Sequence, residues 1–147
     1  MKFFSWLACQ DRCWTGERLA RRQLPHRPRC VFCDQSEETM SHILTGCPFS
    51  RIIWHEVLSW IRSITGPPVA EGDFAEWWTL VVRSNPRHMR KGTSSLVMLT
   101  AWWIWKHRNA IIFNNELPSV ASLVDTIKAE ARSWADAGAR GLRQLLP

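Results

Sequence analysis

The chain has 147 residues, 46% of them hydrophobic, with ten tryptophans, 22% charged residues and a formal net charge of +6. That apolar content can fill a real core, and seven glycines and eight prolines exclude a low-complexity or collagen-like chain. Five cysteines, an odd number, argue against a disulfide framework and for a reducing, intracellular compartment.

Phe3 to Trp14 carries apolar residues at 3, 4, 6, 7, 8 and 9, a stripe broad enough to predict a packed helix. Met1 to Ala8 is apolar but has one lysine and no small-residue cleavage site, and it runs straight into Asp11 and Arg12. It does not read as a signal peptide. Thr15 then suits the N-cap of a short helix from Gly16 to Gln23, stopped by Pro25. Arg18, Arg21 and Arg22 fall at i, i+3 and i+4 and so share one face of it. Up to Arg29 there are seven basic residues (Lys2, Arg12, Arg18, Arg21, Arg22, Arg27, Arg29) against two acidic ones, Asp11 and Glu17. Such a basic stretch is the footprint of a phosphate-backbone binder, although arginines on a helix can also simply solvate its outer face.

Directly after it, Cys30, Cys33, His42 and Cys47 have the spacing C-x2-C-x8-H-x4-C. Three thiols and one imidazole complete a tetrahedral shell for one Zn2+, of the closed structural kind with no position left for a reactive water. Arg29 to Cys33 reads R-C-V-F-C, a turn that can aim two sulfurs at one point. Ser36 is expected to cap a helix opening with Glu37 and Glu38, with His42 on that helix and Cys47 just past its end, between Gly46 and Pro48. The segment's own apolar residues, Val31, Phe32, Met40, Ile43 and Leu44, are too few for an independent core, so residues 25 to 50 should fold with the metal. The plainer alternative is that the cysteines are small buried hydrophobes. His26, four positions before Cys30, sits in an extended Pro25–Pro28 connector and is left out of the ligand set. Cys9 and Cys13 lack a further His or Cys pair and read as core.

Phe3 to Arg22, containing W-x-x-x-R-L-A-R-R, and Cys30 to Trp54, with E-T-x-x-H leading into His42 and C-P-F-S-R-x-x-W after it, carry a longer likeness. Residues 2 to 62 resemble the zinc-binding domain found towards the C-terminus of plant-type non-LTR retrotransposon reverse transcriptases. Arg90 to Val97, Trp102 to Ala110 and Glu130 to Arg140 resemble the segment that comes after it in such polyproteins. The resemblance implies a fragment: a polymerase domain, with its paired catalytic aspartates, would lie upstream, and that domain is an implied partner. No endonuclease or ribonuclease H carboxylate cluster is evident.

Pro48 opens a helix whose broad stripe is Ile52, Ile53, Val57, Leu58, Trp60, Ile61 and Ile64, ending at Gly66-Pro67-Pro68, the expected domain boundary. Glu71, Asp73 and Glu76 make a local negative patch, and Asp73-x-x-Glu76 resembles a capping box for a short helix through Val82. Arg83, Arg87, Arg90 and Lys91, with His88, form a second basic cluster. Ser94 to Phe113 is the longest helical stretch; its apolar run, Leu96 to Trp105, is about half what a bilayer requires, so no membrane span is expected. Ser119 opens a helix with Val120, Leu123, Val124, Ile127, Ala131 and Trp134 inward, closing at Gly138. Within the pairs Trp77-Trp78 and Trp102-Trp103, one indole buried and one half-exposed is the expectation, rather than a stacking platform. His55 and His107 read as surface or rim residues.

The class is therefore all-α: a small helical domain with a Cys3His zinc knuckle (1–65), a linker with a short helix (66–92), a helical hairpin (93–138) and a tail (139–147). The functional expectation is a structural zinc module assisting non-specific RNA or DNA binding through Arg18, Arg21, Arg22, Arg27 and Arg29, with no catalysis of its own. A protein-interaction or purely structural module, or a truncated retroelement remnant, are the alternatives. A closed metal shell and no nucleophile or carboxylate constellation leave little room for an enzyme.

Overall fold

A computed structural model describes residues 2–70 and 72–147; Glu71 of the expected negative patch lies outside them. The described residues are helical with no strand, in the order α1 (Lys2–Cys9), α2 (Gly16–Arg21), a π-helical turn (His42–Gly46), α3 (Pro48–Trp60), α4 (Phe74–Ser84), a 3-10 turn (Arg87–Met89), α5 (Arg90–Asn114), α6 (Val120–Asp136) and α7 (Arg140–Leu145). No helix among them is long and apolar enough to cross a membrane.

Three helix starts come directly from local chemistry. Thr15 Oγ1 accepts from the Arg18 amide, Asp73 from Glu76 and Ser119 from Ser122, each satisfying an otherwise orphaned helix N–H. Helix ends are less legible. α1, α2 and α3 close where Asp11, Gln23 and Arg62 take left-handed φ values of 51°, 55° and 55°. After each, an amide reaches back five residues: Arg12 to Leu7 O, Leu24 to Leu19 O, Ser63 to Leu58 O. The expected helices through Trp14, Gln23 and Ile64 are therefore each shorter. Ile52 and Ile64, assigned inward from sequence, are exposed, the first on the outer face of α3 and the second beyond its end.

One cluster of buried residues runs from Phe4 to Leu145 and includes Met40, Ile43, Leu44, Ile53, Trp54, Val81, Leu96, Leu99, Ile104 and Ile127. The Gly66-Pro67-Pro68 segment is a loop between α3 and α4, and buried residues on both sides of it belong to this cluster. The loop folds back over the π turn: Thr45 Oγ1 donates to Gly72 O and Arg51 Nε to Pro68 O. The residues read as a tail contain α7, which packs against α5 and α6. Its seat is a glycine pair. A Cβ at Gly92 would overlap the Gly141 carbonyl, and one at Gly141 would lie 2.9 Å from the Gly92 nitrogen, so only glycines allow the two backbones to touch.

Candidate metal centre and basic face

The knuckle is assembled by short-range bonds. The Cys30 amide donates to Ser36 O and the Asp34 amide to Cys30 O, with Asp34 at φ 52°, a left-handed turn that an aspartate tolerates. Ser36 caps no helix. The helical turn starts at Met40, and Thr39 Oγ1 accepts the His42 amide instead. The Cys47 amide reaches His42 O at 2.7 Å, a wide turn that carries Cys47 back beside His42. Gly46 is required here, because a Cβ would come within 2.8 Å of the Ala70 carbonyl crossing above it.

Cys30, Cys33, His42 and Cys47 are brought together with their ligand atoms all within 4.8 Å of one another. Cys30 Sγ lies 4.0 Å from Cys47 Sγ, and Cys33 Sγ 3.3 Å from His42 Nε2. A tetrahedral zinc with ordinary Zn–S and Zn–N bonds has ligand-to-ligand edges of about 3.5–3.8 Å. The donor set therefore fits one structural Zn2+ with little movement. Cys30 and Cys47 are fully buried; Cys33 and His42 are half-buried. The two buried sulfurs bond each other, which lowers the Cys30 thiol and raises that of Cys47, since one proton held between them favours one thiolate. Backbone bonds from Phe32 and Cys33 further favour the Cys30 thiolate, and one from Ser50 favours that of Cys47. Cys30 is thus favoured as the anion a metal needs, while Cys47 holds its proton until a metal displaces it.

Two features beside the site were not anticipated. Glu38, read from sequence as first-turn helix charge, is instead 1% exposed and paired with Arg108 of α5, 5% exposed. Arg108 Nε donates to Glu38 Oε2 at 3.0 Å while its NH2 group holds Oε1, a bidentate fork. The Gly16 amide donates to the same Oε1 at 2.7 Å, so one carboxylate joins the knuckle, the start of α2 and α5. The second is an aromatic stack. Phe32 and Phe49 face each other at 4.5 Å, and the His107 ring lies nearly parallel, 6.0 Å and 5.8 Å from them. His107 is therefore a half-buried rim residue, its ring packed on this stack. Burial lowers its pKa, and its Nε2 accepts the Ser119 amide. His26 and His55 are exposed, and Cys13 is buried as expected while Cys9 is exposed.

Of the five arginines assigned to phosphate, Arg27 and Arg29 are exposed and line a groove of about 370 Å³ with Pro28, Cys30, Val31 and Asp34. Arg18 and Arg22 converge on Trp14, their guanidinium carbons 5.6 Å and 5.2 Å from its ring. Arg18 also donates to Asp11 O, and Arg21 is ion-paired with Glu17. The backbone carbonyl of Arg27 lies against Gly16, so the groove adjoins the start of α2. In the second cluster, Arg90 is spent on the end of α4, donating to Asn85 O and Arg83 O.

The family model for zinc-binding in reverse transcriptase matches residues 1–54. A ribonuclease H protein of Arabidopsis thaliana, provisionally so named, is 31% identical over 119 residues, covering 77% of this chain and 18% of that protein. The chain thus spans less than a fifth of the relative's length. No solved structure matches it.

Proposed function

We propose, from the membership of residues 1–54 in the zinc-binding family of reverse transcriptases, that this retroelement-derived module holds one Zn2+ through Cys30, Cys33, His42 and Cys47 and assists non-specific binding of RNA or DNA. The metal is structural. Its shell is closed by four protein atoms, so the module does no catalysis of its own and serves a neighbouring domain, the polymerase of a parent polyprotein being the natural one. Three metal-bound thiolates require a reducing, intracellular compartment.

The observation that carries the nucleic-acid reading is the continuous exposure of residues 21–29, four of them arginines, leading into the buried Cys30. The metal would clamp one end of this stretch and Thr15-capped α2 the other, so the charges are presented on fixed backbone. Binding should be weak, micromolar or weaker at physiological salt, and indifferent to sequence. With about four phosphates neutralised, the slope of log affinity against log salt should be near −3 to −4. Changing Arg27 and Arg29 to Ala should flatten it by about two units without loss of zinc. An unchanged slope would favour a structural or protein-binding role. That second reading draws on the Arg21–Glu17 ion pair and on the bonds from Arg18 to the Asp11 carbonyl and from Arg29 to the Asp34 carbonyl, which already occupy three of the five arginines.

A further inference from the structure

Three large aromatic side chains on the N-terminal face remain open although their neighbours are buried: Phe3 is 71%, Trp6 51% and Trp14 49% exposed. They form one strip. Phe3 and Trp6 stack with centroids 6.2 Å apart, and Arg12 sits over Trp6 at 5.8 Å. Arg18 bonds the carbonyl of Asp11, next to Arg12, and reaches Trp14, which also carries Arg22. Phe3, Trp6 and Arg12 thus make one group and Trp14, Arg18 and Arg22 a second, joined by the Arg18–Asp11 bond. A solvent-facing strip with three arginines and three aromatic rings is ill suited to an apolar partner, because docking one would bury unpaired cations. It suits a ligand that offers flat π-faces at intervals along an anionic backbone.

We infer that Trp6 and Trp14 are stacking platforms for the unpaired bases of single-stranded nucleic acid, with Arg12, Arg18 and Arg22 beside its phosphates. This rests on the nucleic-acid reading above and adds its substrate class. Duplex keeps its bases stacked inside and meets the same face only through phosphates. Single strands expose them, and indole-to-base stacking tolerates any sequence. The guanidiniums now over the indoles swing aside to the phosphates when a base takes the ring face, exchanging one cation–π contact for an ion pair and a stack.

The test uses the full zinc-loaded chain, fluorescein-labelled oligouridylate and oligothymidylate of equal length, and a duplex of that length, read by anisotropy across a salt series. Trp6→Leu and Trp14→Leu keep apolar bulk without a stacking plane. Each should weaken single-strand binding about tenfold, leave duplex binding within about twofold, and preserve both zinc content and salt slope. Uridylate and thymidylate arms losing affinity equally would assign the platform to bases generally; loss in one arm alone would assign it to RNA or to DNA. If the variant carrying both Trp6→Leu and Trp14→Leu binds single strands as the wild type does, or loses duplex and single-strand affinity together, the stacking assignment is overturned while salt-dependent phosphate binding stands. If the wild type binds neither form at low salt, the nucleic-acid reading falls and the platform with it.

Discussion

Replacing Glu38 by Gln keeps the side chain's shape and leaves an oxygen for the Gly16 amide, but removes the charge that faces Arg108. Both side chains are at most 5% exposed, so water screens the pair little. At a separation of 3.0 Å and an effective dielectric near 20, the direct attraction is about 5 kcal/mol, against which burial of both groups sets a comparable cost. The measurable quantity is the penalty for leaving one charge alone. Unpairing a buried ion costs about 3–5 kcal/mol, and here the lower end applies, because Arg108 keeps its bond to Asn109 Oδ1 and its place over the Trp105 ring. Glu38→Gln should therefore destabilise by about 3 kcal/mol, a fall in Tm of roughly 10 °C for a chain of this size. Glu38→Ala should cost about 1–2 kcal/mol more, since the Gly16 N–H loses its acceptor. The double variant Glu38→Gln/Arg108→Met should recover most of the loss. Urea and thermal unfolding monitored by near-ultraviolet circular dichroism, at fixed zinc, give the coupling energy. A Glu38→Gln protein within about 0.5 kcal/mol of wild type, or a double variant whose loss equals the sum of the singles, would refute the assignment of this pair as the tie between knuckle and helices.

Cys33→Ser should abolish stoichiometric zinc by metal analysis and raise amide exchange across residues 29–39, with α5 still protected, because Met40, Ile43 and Leu44 are anchored in the shared core and the turn around Cys30 is not. Uniform exchange throughout would show that the metal holds the whole fold. For His107, the folded pKa lies below the ordinary 6.5, so the neutral ring's contribution to stability is complete above 6.5 and is lost as pH falls through the lower folded value. An NMR titration of its ring should give a midpoint under 6.5, and His107→Phe should flatten the stability profile in that window; a midpoint at or above 6.5 would contradict the packed, Ser119-bonded ring. Gly92→Ala should cost about 2–3 kcal/mol by forcing α7 off α5, whereas Gly66→Ala, which meets nothing within 4 Å, should be near neutral; equal unfolding midpoints for the two variants would remove the glycine contact as the reason α7 docks.

Features that depend on near neighbours in the chain were legible in the sequence. The ligand set stood out because thiol and imidazole types at that spacing have few other uses, and the caps Thr15, Asp73 and Ser119 because a hydroxyl or carboxylate bonds an amide three residues away. The α-helical class came from apolar periodicity for the same reason. Helix ends were less legible: Asp11, Gln23 and Arg62 adopt left-handed backbone that glycine usually marks, so α1 closes without a flag, and α2 and α3 close ahead of the Pro25 and Gly66-Pro67-Pro68 stops. Three things depended on the folded chain alone: the role of Glu38, whose partner is 70 residues away, the burial of His107 against Phe32 and Phe49, and the docking of residues 140–145. Charge, ring and glycine in those places are each ordinary in local context. Their meaning comes from long-range packing, where a carboxylate loses its water and must find a cation, and where two backbones can touch because neither residue has a Cβ.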